Sequence, residues 1–173
     1  MSKIQLIRGS CVEQEVDAIV NAANGYMMHG GGVARAILIK AGPELNKACQ
    51  EYDLPIEDGE VIVTPSYNIK NAKIIIHAVG PNFNEIPDAF DKLNNAYYNS
   101  LVALKENGYH SIAFPLISSG IFGGDLDNPV KVSTEQCLKA YQQFTGEYPN
   151  YEIKVILCAF SESEMIEAKK IIK

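Results

Sequence analysis

Two stretches of the chain have residue types and spacings that could do chemistry. The first is Asp17 to Ile37, read DAIVNAANGYMMHGGGVARAI. Asn21 and Asn24 are turn formers at the end of a short apolar run, and His29 titrates near neutral pH and can serve as acid or base. Gly30, Gly31 and Gly32 let backbone N–H groups approach a ligand, and the helix they lead into presents partial positive charge to a phosphate. The second stretch is Ser118-Ser119-Gly120-Ile121-Phe122-Gly123-Gly124, which again follows an apolar run. Two backbone-rich loops of this kind suit a diphosphate better than one.

Several chemistries fail on spacing. The dinucleotide fingerprint needs G-x-G-x-x-G directly after a strand, whereas Gly30 to Gly32 are contiguous and arrive after a long loop. No G-x-x-x-x-G-K-[ST] phosphate loop and no G-x-S-x-G elbow is present. Cys11, Cys49, Cys137 and Cys158 show no C-x-x-C pair and no histidine close in sequence to complete a zinc site, so four reduced thiols and no metal are expected. His77 lies inside an apolar strand and reads as a core histidine, while His110 reads as surface. Asp125 and Asp127 could pass for paired carboxylates, but helix capping explains them better. Tyr97 and Tyr98 fall inside a helix and are assigned no role.

The elements that must position these loops follow from hydrophobic periodicity. Lys3 to Arg8 reads as a first strand ended by Gly9 and Ser10, and Ala18 to Val20 as a strand buried on both faces. Val33, Ala36, Ile37 and Ala41 form a helical stripe, broken by Gly42-Pro43, and Leu45, Ala48, Cys49 and Tyr52 form the next. Strands are expected at Glu60 to Pro65, Lys73 to Val79, Ser111 to Ile117 and Ile153 to Ala159. A long helix opened by Pro87 buries Phe90, Leu93, Tyr97, Leu101 and Leu104. Another, capped by Asp127, carries Val130, Cys137, Leu138, Tyr141 and Phe144. Ser161 to Glu164 has the form of a capping box for a closing helix that packs Met165, Ile166, Ala168 and Ile172. This alternation predicts an α/β protein, a three-layer α/β/α sandwich with a mostly parallel mixed central sheet, in one domain over 1–173.

The chain of 173 residues is 47% hydrophobic and 21% charged, enough for a proper core, and carries a formal net charge of −6. That sign disfavours nucleic acid and anionic membrane as partners, so any phosphate has to be held by local donors. No leader and no long apolar run stands in the sequence, and a cytoplasmic setting is expected. The start Met1-Ser2-Lys3 favours a free-standing protein, expected to be a monomer.

Taken together, Asp17 to Asn24, His29-Gly30-Gly31-Gly32-Val33-Ala34, Ile76-His77-Ala78-Val79-Gly80-Pro81, and Ala113-Phe114-Pro115 with Ser118 to Gly123 resemble the macrodomain family. The resemblance runs from about Ile4 to the final helix. It implies a protein that binds ADP-ribose, free or on an ADP-ribosylated protein, without a cofactor. Many such proteins hydrolyse ADP-ribosyl esters of acidic side chains or O-acetyl-ADP-ribose. By position, Asn24 is implied to hydrogen-bond the distal ribose and His29 to line that pocket. Gly30, Gly31 and Gly32 shape its wall and Val33 lies by the diphosphate. Ser118, Ser119, Gly120, Ile121 and Phe122 form the diphosphate loop, with Phe122 on the distal ribose, and Phe160 stacks on adenine.

Two departures bear on the activity. Family members usually carry Gly-Asp-Ile where this chain has Gly9-Ser10-Cys11, so the aspartate that accepts the adenine amino proton is missing. Losing that charge-assisted bond costs about 1 to 2 kcal/mol, roughly tenfold in affinity. Ala34 stands where one subgroup has a carboxylate that positions water. The H-G-G-G-V-A form resembles viral and archaeal members, in which water held by the ligand's own phosphate is thought to attack, with Asn24 and His29 in support. The expectation is therefore an ADP-ribosyl hydrolase or O-acetyl-ADP-ribose deacetylase. The alternatives are a non-catalytic ADP-ribose reader and a binder of another nucleotide diphosphate.

Overall fold

The computed structural model describes residues 1–173. Six strands form one sheet: β1 (Lys3–Arg8), β2 (Ala18–Ala23), β3 (Val61–Pro65), β4 (Ile74–Val79), β5 (Ser111–Pro115) and β6 (Lys154–Ala159). Their spatial order is β1-β6-β5-β2-β4-β3, with every neighbouring pair parallel except β3 against β4. The expected mostly parallel mixed sheet is therefore observed. Five helices cover it: α1 (Gly32–Ala41), α2 (Pro43–Gln50), α3 (Phe90–Glu106), α4 (Pro129–Glu147) and α5 (Glu162–Lys169).

Strand residues alternate between two cores because successive side chains point to opposite faces. Ala18, Val20, Ile76, Ala78, Phe114 and Leu157 join Leu93, Tyr97, Leu101 and Phe144 of α3 and α4 in one. Ile19, Ile75, Val79, Ala113 and Ile156 join Ile37, Leu45 and Cys49 of α1 and α2 in the other. The three layers follow from this division. No helix is long and apolar enough to cross a membrane.

Local differences from the sequence reading have physical causes. β2 does not stop at Asn21 but runs on to Ala23, because Asn21 pairs in register with His77 and hydrogen-bonds its ring. On α1 it is Ala34 rather than Ala36 that is buried with Ile37 and Ala41. Tyr52 lies beyond α2 and is exposed, its hydroxyl donating to the Val63 carbonyl at 2.7 Å. Phe90 and Ile166 are exposed as well. Asn128, not Asp127, caps α4, its Oδ1 accepting the Lys131 N–H at 3.1 Å. The capping box at Ser161 and Glu164 forms as expected.

Candidate functional site

All five parallel strands, β1, β6, β5, β2 and β4, end at the same edge of the sheet, and the loops of interest leave from there. Ser10 follows β1, Phe160 follows β6, Ser118 follows β5, Asn24 follows β2 and Gly80 follows β4. A crevice beyond the carboxyl ends of such strands is the usual ligand position in open α/β sheets. Here a cleft of about 640 Å³ lies between the β2–α1 and β5–α4 connections. Asn24, Gly30, Gly31, Gly32 and Val33 line one wall, and Ser118, Ser119, Gly120, Ile121 and Phe122 line the other.

The walls present backbone. A Cβ added at Gly30, Gly31, Gly32 or Gly120 would meet nothing within 4 Å, so these glycines leave open space on the cleft side. Gly32 has φ +57, a conformation that favours glycine, and it starts α1 with no side-chain cap. The first N–H groups of α1 are therefore unpaired at the cleft, and the N–H of Gly31 has no partner either. Across the cleft, the N–H groups of Ser118, Ser119 and Gly120 also have no acceptor in the protein. Ser118 holds φ 59, a strained value for a residue with a side chain, and its hydroxyl donates to the Pro81 carbonyl at 2.7 Å.

Gly80 is the hinge of this arrangement. A Cβ there would lie 2.4 Å from Ile117 Cγ2 and 2.5 Å from Ser118 Oγ, so only glycine lets the strained loop pack against β4. Gly80, Leu116 and Ile117 line the cleft although nothing about them as isolated residue types singled them out. Asn24 braces the opposite loop. Its Nδ2 donates to the Met28 carbonyl at 2.8 Å, and its Oδ1 accepts the N–H groups of Tyr26 and Met28, each at 3.1 Å. A neighbouring smaller pocket shares Asn24, Gly80 and Phe122 with the cleft and contains Asp58 and Glu85, which the sequence did not flag. Burial first, and the Glu85 charge second, push the Asp58 carboxyl above its ordinary pKa.

Five expected site residues do not line the cleft: Ser10, Cys11, Asn21, His29 and Phe160. Ser10 Oγ caps a 3-10 turn by accepting the Val12 N–H, and the buried Cys11 thiol donates to the Val20 carbonyl at 3.6 Å. Phe160 stands 76% exposed at the end of β6, one strand beyond the cleft. Asn21 is buried against His77. His29 is the one of these that the sequence reading assigns to catalysis. Its ring lies under the glycine loop, edge-on to the ring of His77 with centroids 6.2 Å apart, and away from the cleft walls. The reason is local: Met27 is buried with the α1–α2 core, and the chain reaches the glycines only after His29 has turned onto that side.

The same packing brings together two histidines and a cysteine that stand far apart in the sequence. His29, Cys49 and His77, remote in sequence, place their ligand atoms within 4.8 Å of one another. His77 is fully buried, with Asn21 Nδ2 at 2.9 Å from Nδ1, and Thr64 Oγ1 at 2.9 Å and Cys49 Sγ at 3.9 Å from Nε2. Burial first, then the nearby His29, holds its pKa down at about 3, so the ring is neutral. Burial also lowers the pKa of His29 and pushes the Cys49 thiol up to about 11.

A family model described as Macro domain matches residues 20–133. A protein of Saccharolobus solfataricus is 40% identical over 92% of this chain and 86% of its own length. The O-acetyl-ADP-ribose deacetylase of Escherichia fergusonii is 36% identical over 95% of this chain and 93% of its own. Among solved structures, an Oceanobacillus iheyensis macrodomain with ADP superposes with a TM-score of 0.88 at 35% identity. That match covers 98% of this chain and 89% of the other.

Proposed function

Because the chain belongs to the macrodomain family, we propose that its cleft binds ADP-ribose and releases it by hydrolysis from esters on acidic side chains or from the O-acetyl form. The related deacetylase is named for the latter substrate. The diphosphate sits against the N–H groups of Ser118 to Phe122 and the start of α1, where fixed dipoles rather than net charge hold an anion. The distal ribose lies among Asn24, the three glycines and Phe122. One Nδ2–H of Asn24 is used inside the loop, which leaves the other for a ribose hydroxyl. The base extends along the row of strand ends toward Ser10 and the open face of Phe160.

One observation carries the catalytic reading. The residues lining the cleft include no Asp, Glu, His, Lys, Arg or Cys. A water that attacks the anomeric carbon or the ester carbonyl must then pass its proton to the ligand's own phosphate, and the protein contributes positioning and preorganised dipoles. His29, half-buried and facing His77, does not line the cleft and is given no part in that step, and modest turnover is expected.

The same observation favours a second reading, a reader that binds ADP-ribose and leaves it intact. Calorimetry with ADP-ribose, run beside an assay for ADP-ribose release from a protein modified on glutamate, separates the two. Heat with product supports the hydrolase, heat without product leaves the reader, and no heat overturns both. Asp58→Asn leaves turnover unchanged if the phosphate takes the proton, whereas a large loss would move the base into the neighbouring pocket. Ser10→Asp raises affinity for ADP-ribose about tenfold if the base lies at Ser10. An unchanged affinity would place the base elsewhere.

A further inference from the structure

The cluster beneath the glycine loop is a separate feature from the cleft above it. We infer that His29, Cys49 and His77 form a binding site for a single zinc-class divalent ion, which staples the cleft loop to β4 and α2.

Geometry and chemistry both fit. Two imidazoles and one thiol converge with ligand atoms no more than 4.8 Å apart, and Cys49 Sγ to His77 Nε2 measures 3.9 Å. Bond lengths of about 2.3 Å to sulfur and 2.0 Å to nitrogen put such atoms roughly 3.5 Å apart around a tetrahedral ion, so small shifts suffice. Both ring nitrogens of His29 are buried without a well-formed hydrogen bond, only the Met27 backbone standing near enough to interact, an unusual state for a polar ring that a metal–nitrogen bond would relieve. Nitrogen and sulfur donors with no carboxylate select zinc-class ions over magnesium or calcium.

The surroundings complete the site. With the ion on Nε2, the Thr64 hydroxyl gives up its contact with that nitrogen, and a water or that hydroxyl can fill the fourth position. Nδ1 then carries the proton and needs an acceptor. The Asn21 amide stands 2.9 Å away with its Oδ1 unpartnered, and turning that amide by half a rotation places Oδ1 to accept Nδ1–H. Cys49 is the one ligand that must lose a proton: as the sulfur–metal bond forms, the thiol proton passes to solvent. The other cysteines, Cys11, Cys137 and Cys158, are buried and take no part in the cluster.

The site does not depend on nucleotide binding, so its test uses the protein alone under reducing conditions. Co²⁺ reports both ligand type and geometry. One equivalent per chain is expected to give a thiolate-to-cobalt charge-transfer band with tetrahedral absorption, to be displaced by Zn²⁺ and to raise the melting temperature. His29→Ala loses at most a weak contact with the Met27 backbone and should fold, while cobalt affinity falls at least about tenfold. Cys49→Ala removes the charge-transfer band. Absence of that band in the wild type, its survival in Cys49→Ala, or unchanged affinity in His29→Ala would each overturn the site. Calorimetry with ADP-ribose on metal-free protein reads the cleft separately, so failure of one proposal leaves the other standing.

Discussion

The loop from Asn24 to Val33 has two sides, and they work by opposite means. Its upper side, with the facing loop at Ser118 to Phe122, forms a cleft of backbone and small or apolar side chains without an ionisable group. On its lower side His29 faces His77, which in turn meets the buried side chains of Asn21, Cys49 and Thr64. The cleft can recognise an anion because its donors are fixed dipoles with no side-chain charge to neutralise. In the metal-free protein the cluster can exist under the same loop because burial keeps its groups uncharged.

The largest effect expected to test this contrast is the pH dependence of stability. His77 titrates at about 3 in the folded protein, against about 6.5 when unfolded. Between those values the unfolded chain binds the proton and the folded one does not. Stability is therefore at its full value above about pH 6.5 and falls as pH drops toward 3, His77 alone contributing up to about 1.4 kcal/mol per unit. His29, lowered in the same direction by burial, adds to the slope. Denaturant unfolding from neutral pH to about pH 4 measures it. On metal-free protein, a level profile would mean that the buried cluster accepts a proton as readily as solvent does. Because no lining residue titrates there, ADP-ribose affinity above pH 6.5 should stay flat.

Next in size is Asn24→Ala, which joins the two sides. It removes three hydrogen bonds within the loop, each worth about 1 kcal/mol net. Since Asn24 also faces the ribose in the proposed pose, turnover should fall about a hundredfold or more, with a smaller loss of binding. Equal losses of turnover and affinity would show that the residue only shapes the loop. A fall in turnover alone, with the melting temperature unchanged, would give it a direct part in the reaction.

The sheet, its layers and both glycine loops were legible in the sequence because they rest on local signals. These are apolar runs such as Ile74 to Val79, glycines that end strands, and a capping box at Ser161. The cleft-lining stretches Gly30 to Val33 and Ser118 to Phe122 were legible for the same reason. What was not legible depends on which way a loop side chain turns once the fold closes. His29 beside three glycines reads as a cleft residue, yet the buried Met27 anchor draws it to the opposite side. The meeting of His29, Cys49 and His77 depends on helix packing over β4, and no spacing in the sequence encodes it. Gly80 was visible only as part of a longer pattern, because its need is a contact with Ile117 and Ser118 far along the chain.

The smallest expected effect on the fold separates the two sides most cleanly. Gly31 has φ −167, extended backbone open to any residue, and an added Cβ would meet nothing within 4 Å. Gly31→Ala should therefore change stability by no more than about 1 kcal/mol, since alanine's restriction of the unfolded chain offsets its poorer fit at the N-cap of α1. The open space beside Gly31 belongs to the cleft, so the same methyl group should weaken ADP-ribose binding. It should leave the pH dependence set by His77 untouched, since that ring lies on the other side of the loop. Thermal unfolding and calorimetry on one variant check all of this. A loss of stability would show that the glycine serves the fold. Retained stability with weakened binding would show that the ligand, and not the chain, needs the absence of a side chain at this position.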